Sequence, residues 1–543
     1  RMRLCLAMGY SDWEGLRSDI ESHRSVIADQ FAHIAFRESQ AETPFHKQVE
    51  QAWESGASED AWAALLESEE INEARLMAGI LVSFATDTVT RKIDAAARAR
   101  LQRFVPQLLQ EITKSDRPLR ALNRTLTIVE RILRRSAYLA LLNENSGALA
   151  RLVDLCARSN YIADQIARYP VLLDELLDPR LYSESVTRAD LSEELRERLG
   201  DAGDESESCM HVISQFQRAT MFRIAVADFN GKLPIMKVSD GLTWLAECVL
   251  EEALRVAWRD LTGRHGVPRY TVNGMTREAG FGIVAYGKLG GLELSYGSDL
   301  DIVFLHDSCG EKQVTDGDKP LDNGLFFGRL VRRLVHFLTT QTGSGQLYEI
   351  DTRLRPDGRS GLLVTSTDAF ERYQEENAWT WEHQALLRAR AVAGSGAIAD
   401  EFERIRRETL VGRVRRKKLR NDVISMRQRM RKELDRSDEE HFDLKHGRGG
   451  IGDIEFLVQY LVLEHAKAYP DVIFYSDNIR QLDALMAEGC IAREVGEALQ
   501  EAYRNYRLRQ HHLVLDDQAP LVGQNEFAVW REFVAKTWDE WLA

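Results

Sequence analysis

Residues 281–305 read Phe-Gly-Ile-Val-Ala-Tyr-Gly-Lys-Leu-Gly-Gly-Leu-Glu-Leu-Ser-Tyr-Gly-Ser-Asp-Leu-Asp-Ile-Val-Phe-Leu. The pattern predicts an apolar strand over 281–286, a glycine turn that carries Lys288, and a second apolar strand over 299–305. Asp299 and Asp301 flank Leu300 at the start of that second strand, where side chains two apart face the same way, about 7 Å apart along the backbone. Two such carboxylates repel each other without a cation. They therefore indicate a divalent metal, Mg²⁺ or Mn²⁺, bound together with the phosphates of a nucleotide.

A third acidic residue lies further along the chain, in a segment that alternates as a strand is expected to. A strand over 346–354 would place Asp351, Arg353 and Arg355 on one face, and a short strand over 361–364 would follow. The carboxylate completes the set of metal ligands, and the two guanidiniums neutralise and orient a triphosphate. In a two-metal transfer, Asp351 serves as general base or as a ligand of the first metal.

These motifs differ in how specifically each one indicates a function. Asp-x-Asp alone is typical of an ordinary exposed strand end. Gly-Lys-Leu-Gly-Gly is not a Walker A loop, because no Ser or Thr follows the Gly-Lys pair, and it is not Gly-x-Gly-x-x-Gly. The combination of strand, glycine turn, Asp-x-Asp strand and Asp-x-Arg-x-Arg segment is far more specific, and it predicts nucleotidyl transfer.

Bulk composition sets outer limits on the protein class. A length of 543 residues indicates about three or four domains. The net charge of −14 argues against a general nucleic-acid binder, which needs a basic face. No apolar run reaches the ~18–20 residues that span a bilayer, so we expect no membrane partner. Six scattered cysteines fit a reduced, cytoplasmic protein. Because the chain begins with Arg1 rather than Met, we expect a fragment of a longer protein.

Helical periodicity covers most of the chain, so the predicted fold class is α+β, mostly α-helical, with a small mixed sheet. Residues 11–270 and those after 366 are predicted to be helical. The acidic stretch 193–207 is predicted to be a solvated loop, 307–323 a polar loop, and 325–340 an amphipathic helix. Four domains are expected, namely a helical connecting region over 1–115, a helical domain over 116–270, the catalytic core over 271–370, and a C-terminal helical domain over 371–543.

Several stretches together resemble a known family. They are 281–305, Tyr-Glu-Ile-Asp-Thr-Arg-Leu-Arg-Pro-Asp-Gly at 348–358, Ala-Trp-Thr-Trp-Glu-His-Gln-Ala-Leu-Leu-Arg-Ala-Arg at 378–390, Leu-Lys-His-Gly-Arg-Gly-Gly-Ile-Gly-Asp-Ile-Glu-Phe at 444–456, and the helical region 119–179. The core resembles the nucleotidyltransferase fold of the DNA polymerase beta superfamily. Within it, the chain resembles the glutamine synthetase adenylyltransferase family. Full-length members carry two catalytic domains, and this chain, with one Gly-Gly…Asp-x-Asp element, resembles the C-terminal, adenylylating half.

The resemblance implies transfer of AMP from ATP to a tyrosine hydroxyl of glutamine synthetase, with glutamine and the PII signalling protein as regulators. It implies Mg²⁺, or alternatively Mn²⁺, bound by Asp299, Asp301 and Asp351. It implies a phosphate site shaped by Gly290, Gly291 and Ser298. With the glycine turn and the alternating segment, the expected nucleotide-binding residues also include Gly287, Lys288, Arg353 and Arg355. The alternatives are phosphate-driven removal of AMP, a docking module without catalysis, and a small-molecule or uridylyl nucleotidyltransferase, since the motifs do not specify the base.

Three further features have two readings each. Trp379 and Trp381 cannot share a helix face, so one is expected in the core, and adenine stacking is the alternative. The Arg- and Lys-rich stretch 404–436 is either a solvated helix paired to acidic neighbours or a surface for an acidic partner or for phosphates. The glycine-rich stretch 445–455 is either a second wall of the nucleotide site or a tight turn into a helix.

Overall fold

The computed structural model describes residues 43–87, 90, 92–177, 187–341, 345–414, 416–516 and 518–542. The apolar start of the chain and the rest of residues 1–42 lie outside this part. The chain divides into two compact units, Arg1–Lys114 and Ser115–Ala543. The structure is 67% helical with small mixed sheets, which confirms the α+β, mostly helical class. The domain limits expected after residues 270 and 370 stay predictions.

The first unit is helical in its described part. Its helices are α1 Pro44–Ser55, α2 Glu59–Glu67, α3 Ala74–Thr86 and α4 Ala95–Ile112. Polar side chains cap three of them, because Thr43, Ser58 and Asp94 each accept a hydrogen bond from a backbone N–H of the first turn. Trp62 and Phe104 are buried in this unit and anchor its core.

The second unit begins with helices and then alternates helices with short strands. Its helices are α5 Pro118–Ile132, α6 Ser136–Glu144, α7 Ser146–Arg158, α8 Asn160–Arg168, α9 Arg188–Ala202, α10 Ser206–Phe229, α11 Ile235–His265, the short turn α12 Gly287–Gly290, α13 Asn323–Thr339, α14 Thr367–Glu376, α15 Thr380–Leu387, α16 Gly396–Glu408, α17 Arg416–Leu434, α18 Ile451–His465, α19 Asn478–Ala487, α20 Arg493–Leu515 and α21 Ala528–Leu542. A π-helical turn, Thr409–Arg413, extends α16, and 3₁₀ turns cover Pro170–Leu177, Gly358–Ser360 and Pro470–Ile473.

The described residues include ten strands. They are β1 Pro268–Val272, β2 Met275–Glu278, β3 Phe281–Ala285, β4 Leu300–His306, β5 Glu311–Thr315, β6 Ile350–Asp351, β7 Val364–Ser366, β8 Arg390–Gly394, β9 His441–Asp443 and β10 Leu521–Gly523. In the central sheet β4 lies between β3 and β6, β8 lies on the far side of β3, and β7 also pairs with β4. Strand β3 is antiparallel to β4 and β8, whereas β6 and β7 run parallel to β4. Strands β1, β2 and β5 form a second small sheet, and β9 pairs with β10.

Strict alternation along β3 and β4 divides the packing between two hydrophobic clusters. Ile283 and Ile302 belong to the cluster that includes residues of α11 and α13. Val284 and Val303 belong to the cluster that includes residues of α16, α18 and α20. Because the side-chain period of a strand is two, Asp301 shares the face of Val303. The acidic end of β4 therefore points toward the side covered by the C-terminal helices.

Several predictions are confirmed by these elements and others are wrong. Strands β3 and β4 and helix α13 lie where the pattern placed them. The strand expected over 346–354 is wrong, because only Ile350–Asp351 pairs with β4 and successive turns then hold residues 352–361. The acidic loop expected over 193–207 is also wrong. A capping box of Thr187 and Asp190 starts α9, and the helix covers most of that stretch.

Two strands and the tryptophans also differ from expectation. The polar loop predicted over 307–323 contains β5, which pairs with β1. The expectation that one of the two tryptophans packs in the core is wrong, because Trp379 caps α15 and both Trp379 and Trp381 are exposed. Strand β8 was not anticipated, although its register with β3 fixes one edge of the central sheet.

Candidate functional site

The three predicted aspartates meet at one end of the central sheet. Asp301 and Asp351 are directly paired residues of the parallel strands β4 and β6, and Asp299 immediately precedes β4. One carboxylate oxygen from each of Asp299, Asp301 and Asp351 lies within 4.8 Å of the others. Within the part of the chain that the structure describes, this is the one cluster of three or more His, Cys, Asp or Glu side chains with such spacing.

Electrostatics at this cluster reflect crowded negative charge. Burial, followed by the charges of Asp299 and Asp351, raises the pKa of Asp301 to about 6. The hydrogen bond from Arg353 lowers the pKa of Asp351. Asp351 accepts hydrogen bonds from the backbone N–H of Arg353 at 2.8 Å and from its Nε at 2.7 Å. The guanidinium therefore supplies one positive charge beside three carboxylates.

The donor set fits a hard divalent cation. Mg²⁺ and Mn²⁺ prefer carboxylate oxygens as ligands. The cluster offers three carboxylates, two from paired strands and one from the residue before β4. The repulsion that adds to burial in raising the pKa of Asp301 is relieved when a cation neutralises the cluster. The residues that would hold the metal are thus Asp299, Asp301 and Asp351.

The glycine turn between β3 and β4 lies directly against this cluster. Gly287 has a φ of +56°, and a Cβ at this position would collide with Oδ2 of Asp301. A residue without a side chain is therefore required for the turn to approach the carboxylate. Lys288 donates from Nζ to Oγ of Ser295 at 3.2 Å and to Oγ of Ser298 at 3.3 Å. Burial, with the positive charges of Arg507 and Lys445, lowers the pKa of Lys288 to about 8.

Gly290 and Gly291 serve packing in this structure. A Cβ on Gly290 would collide with the carbonyl oxygens of Arg388 and Ala285, and one on Gly291 would contact the guanidinium of Arg388. The carbonyl oxygen of Gly290 also accepts hydrogen bonds from Nε of Arg390 and Oγ of Ser476, both at distances below 3 Å. These two glycines face the C-terminal helices, whereas Gly287 faces the carboxylates.

Arg355 lies in a different place from the one the strand pattern predicted. Its side chain is buried, and its guanidinium donates to the carbonyl oxygens of Thr352, Arg359 and Gly361. The expected shared face with Asp351 and Arg353 is wrong, because the chain leaves β6 after Asp351 and turns. The inferred role of Arg355 changes accordingly, from contact with phosphates to support of the 352–361 loop.

Sequence reasoning missed a buried charge cluster behind the glycine turn. Glu293 is fully buried, is paired with Arg388 and Arg507, and accepts hydrogen bonds from the Tyr503 hydroxyl at 2.7 Å and the Asn478 backbone N–H at 3.0 Å. Burial would raise the pKa of Glu293, but the two guanidiniums and these hydrogen bonds outweigh burial and lower it. The cluster joins the turn after β3 to α19 and α20. Its partners lie 95 residues or more away in sequence, so no local pattern indicates it.

The glycine-rich stretch 445–455 forms the tight helix-entry turn that is one of its two predicted readings, and its role as a second wall of the nucleotide site stays a prediction. Asp453 is buried between Arg427 and Arg431 and accepts the backbone N–H of Gly449, which builds a tight entry into α18. Lys445, from the same stretch, is close enough to Lys288 for its charge to lower the pKa of that side chain. The segment therefore braces a helix entry and also borders the Lys288 side of the site.

Two family models match this chain, each over a different segment. Residues 149–405, which contain the carboxylate cluster and the glycine turn, match the family model described as glutamate-ammonia ligase adenylyltransferase. Residues 149–405 are a domain of this family. Residues 422–520 match a second family model, described as GlnD PII-uridylyltransferase.

Curated relatives of the adenylyltransferase family align with nearly the whole chain. A protein of Thioalkalivibrio sulfidiphilus is 45% identical over 99% of this chain and 56% of its own length. One from Nitrosococcus oceani is 43% identical over 100% of this chain and 56% of its own length. Both are named bifunctional glutamine synthetase adenylyltransferase/adenylyl-removing enzyme. The chain thus spans about half the length of the curated relatives that it matches. In its described part, none of the helices has both the length and the apolar character needed to cross a bilayer.

Proposed function

We propose that this chain transfers AMP from ATP to a tyrosine hydroxyl of glutamine synthetase, as the C-terminal, adenylylating half of a bifunctional enzyme. The observation that carries the proposal is the joining of Asp299, Asp301 and Asp351 within 4.8 Å, inside the segment that matches the adenylyltransferase family. A polymerase-beta-like nucleotidyltransferase core accounts for this arrangement, with the ligands on adjacent strands and the glycine turn beside them.

Each part of the site has a proposed task. Asp299, Asp301 and Asp351 hold Mg²⁺ or Mn²⁺, and a bound cation supplies charge stabilisation for the transferred phosphoryl group. Lys288 and Ser298, hydrogen-bonded to each other beside Gly287, bind and orient the phosphates of ATP. Asp351 acts as a ligand rather than as the general base, because the hydrogen bond from Arg353 lowers its pKa and so makes it a weaker base. The exposed guanidinium of Arg353 is a further contact for phosphate.

The alternative reactions use the same residues. The curated relatives carry adenylyl transfer and adenylyl removal in one name, so removal of AMP by phosphate is the nearest alternative. The match to the uridylyltransferase family begins at residue 422, beyond the carboxylates and the glycine turn, and it gives no reason to replace ATP by UTP at this site. A docking module without catalysis has no use for three mutually repelling carboxylates.

We infer the partners and setting from the family match. Glutamine synthetase is the acceptor, PII and glutamine are the regulatory partner and effector, and the protein acts in the cytoplasm without nucleic acid or membrane. The match of residues 422–520 to a family named for PII supports a PII-linked role for the C-terminal helices.

The test is transfer of label from ATP carrying a labelled α-phosphate to purified glutamine synthetase, with Mg²⁺ or Mn²⁺ and with glutamine and PII varied. We expect labelled synthetase with the wild-type chain, none with Asp301→Asn, and normal labelling with Glu349→Gln, which alters an exposed carboxylate two residues from Asp351. A parallel reaction with adenylylated synthetase and phosphate measures removal of AMP. Phosphate takes the AMP group from the tyrosine to form ADP, so formation of ADP without any labelling would replace the proposed direction by its reverse.

A further inference from the structure

Two tryptophans lie exposed on the surface near the carboxylate cluster. Trp379 is 65% exposed and Trp381 is 39% exposed, at the N-terminus of α15. Among the described residues, they are the only tryptophans with exposed side chains. Large apolar side chains left together in solvent mark interaction sites, and tryptophan is enriched among the residues that contribute most to binding.

A short chain of contacts connects these tryptophans to the metal-binding residues. The loop that follows Asp351 brings the backbone of Asp357 to the hydroxyl of Tyr373 in α14. That hydroxyl donates to Oε1 of Glu382 at 2.8 Å, and Oε2 of Glu382 accepts the backbone N–H of Trp379 at 2.8 Å. Leu362, which directly follows this loop, is 79% exposed. Hydrogen bonds thus connect the loop after the third aspartate to the start of α15.

The surface beside the tryptophans is basic. Helix α15 contacts α17 through a hydrogen bond from Oγ1 of Thr380 to Oδ2 of Asp422 at 2.5 Å. On α17, Lys417, Lys418 and Arg429 are exposed. Arg413, just before α17, is also exposed and is paired with Glu375.

The basic character of this helix contrasts with the net charge of −14 that the whole chain carries. A basic surface in an acidic protein is complementary to an acidic partner, and such complementarity speeds encounter and fixes orientation. Trp379, Trp381 and Leu362, with the exposed Lys417, Lys418 and Arg429 of α17, are called the acceptor surface below.

We propose that the acceptor surface docks the protein that receives AMP, by contacting an acidic segment next to the acceptor tyrosine. The inference rests on the proposed function and adds where the acceptor binds and what chemistry it presents. The tryptophans supply apolar anchors, and the lysines and arginine supply complementary charge. Because the surface adjoins the loop after Asp351, a bound segment lies next to the carboxylates.

The test uses three variants of the full chain. Trp379→Ser/Trp381→Ser removes the anchors, and Lys417→Glu/Lys418→Glu reverses the charge. Val529→Ser, which alters a 79% exposed apolar residue on α21, is the matched control. Three quantities are measured for each, namely labelling of glutamine synthetase against its concentration, direct binding of the synthetase without nucleotide, and affinity for Mn²⁺ with α,β-methylene ATP.

Both surface variants should raise the half-saturating synthetase concentration by about tenfold or more, and weaken direct binding in parallel. Their affinity for the nucleotide and their rate at saturating synthetase should stay at wild-type values, and Val529→Ser should match the wild type throughout. Unchanged half-saturation and binding in both variants would overturn the proposal. Weaker nucleotide affinity in the tryptophan variant would overturn it in favour of adenine stacking.

Failure of the proposed function has a different signature. If the wild-type chain binds the synthetase but labels none of it, AMP transfer is refuted, while loss of binding in the two variants would still support the docking surface. If the wild-type chain neither binds nor labels the synthetase, both proposals are overturned.

Discussion

Asp301 and Asp351 are direct neighbours across the parallel pair β4 and β6, and each carries a carboxylate into the same cluster. Strand β6 is only two residues long, so this one pairing fixes where Asp351 lies relative to Asp301. The backbone N–H of Leu300 donates to the carbonyl oxygen of Glu349 at 2.9 Å and continues the ladder. Two distant parts of the sequence thus supply one site through a short stretch of backbone pairing.

Gly290→Ala tests the packing role of the glycine turn. The added Cβ would collide with the carbonyl oxygens of Arg388 and Ala285, so we expect a loss of about 1–3 kcal/mol in the free energy of unfolding. Gly200→Ala in α9 is the control, because a Cβ there meets no atom within 4 Å and alanine favours helix. Urea titration measures both. Equal stability of the two variants would refute the steric argument.

Glu293→Gln tests the buried charge cluster. The change keeps the shape of the side chain but leaves Arg507 buried without its carboxylate and Arg388 with Glu455 alone, so we expect a loss of about 3–5 kcal/mol in the free energy of unfolding. Glu401→Gln removes a half-exposed partner of Arg404 and should cost less than about 1 kcal/mol. If the two substitutions cost the same in urea, the cluster does not hold the turn as inferred.

The variants Arg355→Ala and Arg353→Ala should distinguish two roles. Arg355 supports the 352–361 loop, whereas Arg353 supplies a positive charge beside Asp351. Arg355 bonds three carbonyl oxygens of its own loop, so its loss should speed amide hydrogen exchange in residues 352–361. Arg353 bonds Asp351 from an exposed position, so its loss should leave exchange in that loop near the wild-type rate. Mass spectrometry of exchanged peptides distinguishes the two. Faster exchange in the Arg353 variant alone would reverse the assignment.

His306 should make the second unit sensitive to acid. Its Nδ1 accepts the backbone N–H of Ser308 at 3.2 Å, its ring stacks on Phe327 at 4.6 Å, and burial lowers its pKa to about 4. The unfolded chain takes up a proton near the ordinary histidine pKa of about 6.5, so stability from this group is present above that pH and is lost as pH falls toward 4. Between pH 7 and pH 5 the loss should be about 2 kcal/mol.

His306→Phe should remove the part of the acid-induced loss of stability that comes from His306. Phenylalanine keeps the ring stacking but has no group that can bind a proton. Free energies of unfolding from urea titrations at pH 7, 6 and 5 measure the slope. A variant that loses stability with acid as steeply as the wild type would show that His306 is not responsible.

The sequence predicted what depends on local pattern. Alternating apolar residues identify β3 and β4, amphipathic periodicity identifies α13, and the spacing of Asp299 and Asp301 indicates a shared face. The hairpin of β1 and β2 has a local signal as well, since Asn273 and Gly274 both adopt positive φ at its turn. The Asn-Gly dipeptide alone therefore indicates this hairpin.

Features set by distant contacts were beyond the reach of local pattern. Arg355 looks like part of an alternating strand, but carbonyl oxygens of the following turn fold its side chain inward. Glu293 looks like one more surface acid after a glycine pair, but α19 and α20 bury it. The acidic stretch of α9 looks like a loop by composition, although its capping box and the pair of Arg198 with Glu194 stabilise a helix.

Binding of Mn²⁺ together with α,β-methylene ATP, followed by the electron paramagnetic resonance of the metal, tests the carboxylate site most directly. The wild-type chain and Glu349→Gln should bind the pair equally. Asp301→Asn should lose more than about 100-fold in affinity, because even groups that only orient metal ligands are worth about 10- to 100-fold. Wild-type affinity in Asp301→Asn, with the protein folded, would contradict the assignment of Asp299, Asp301 and Asp351 as the metal site.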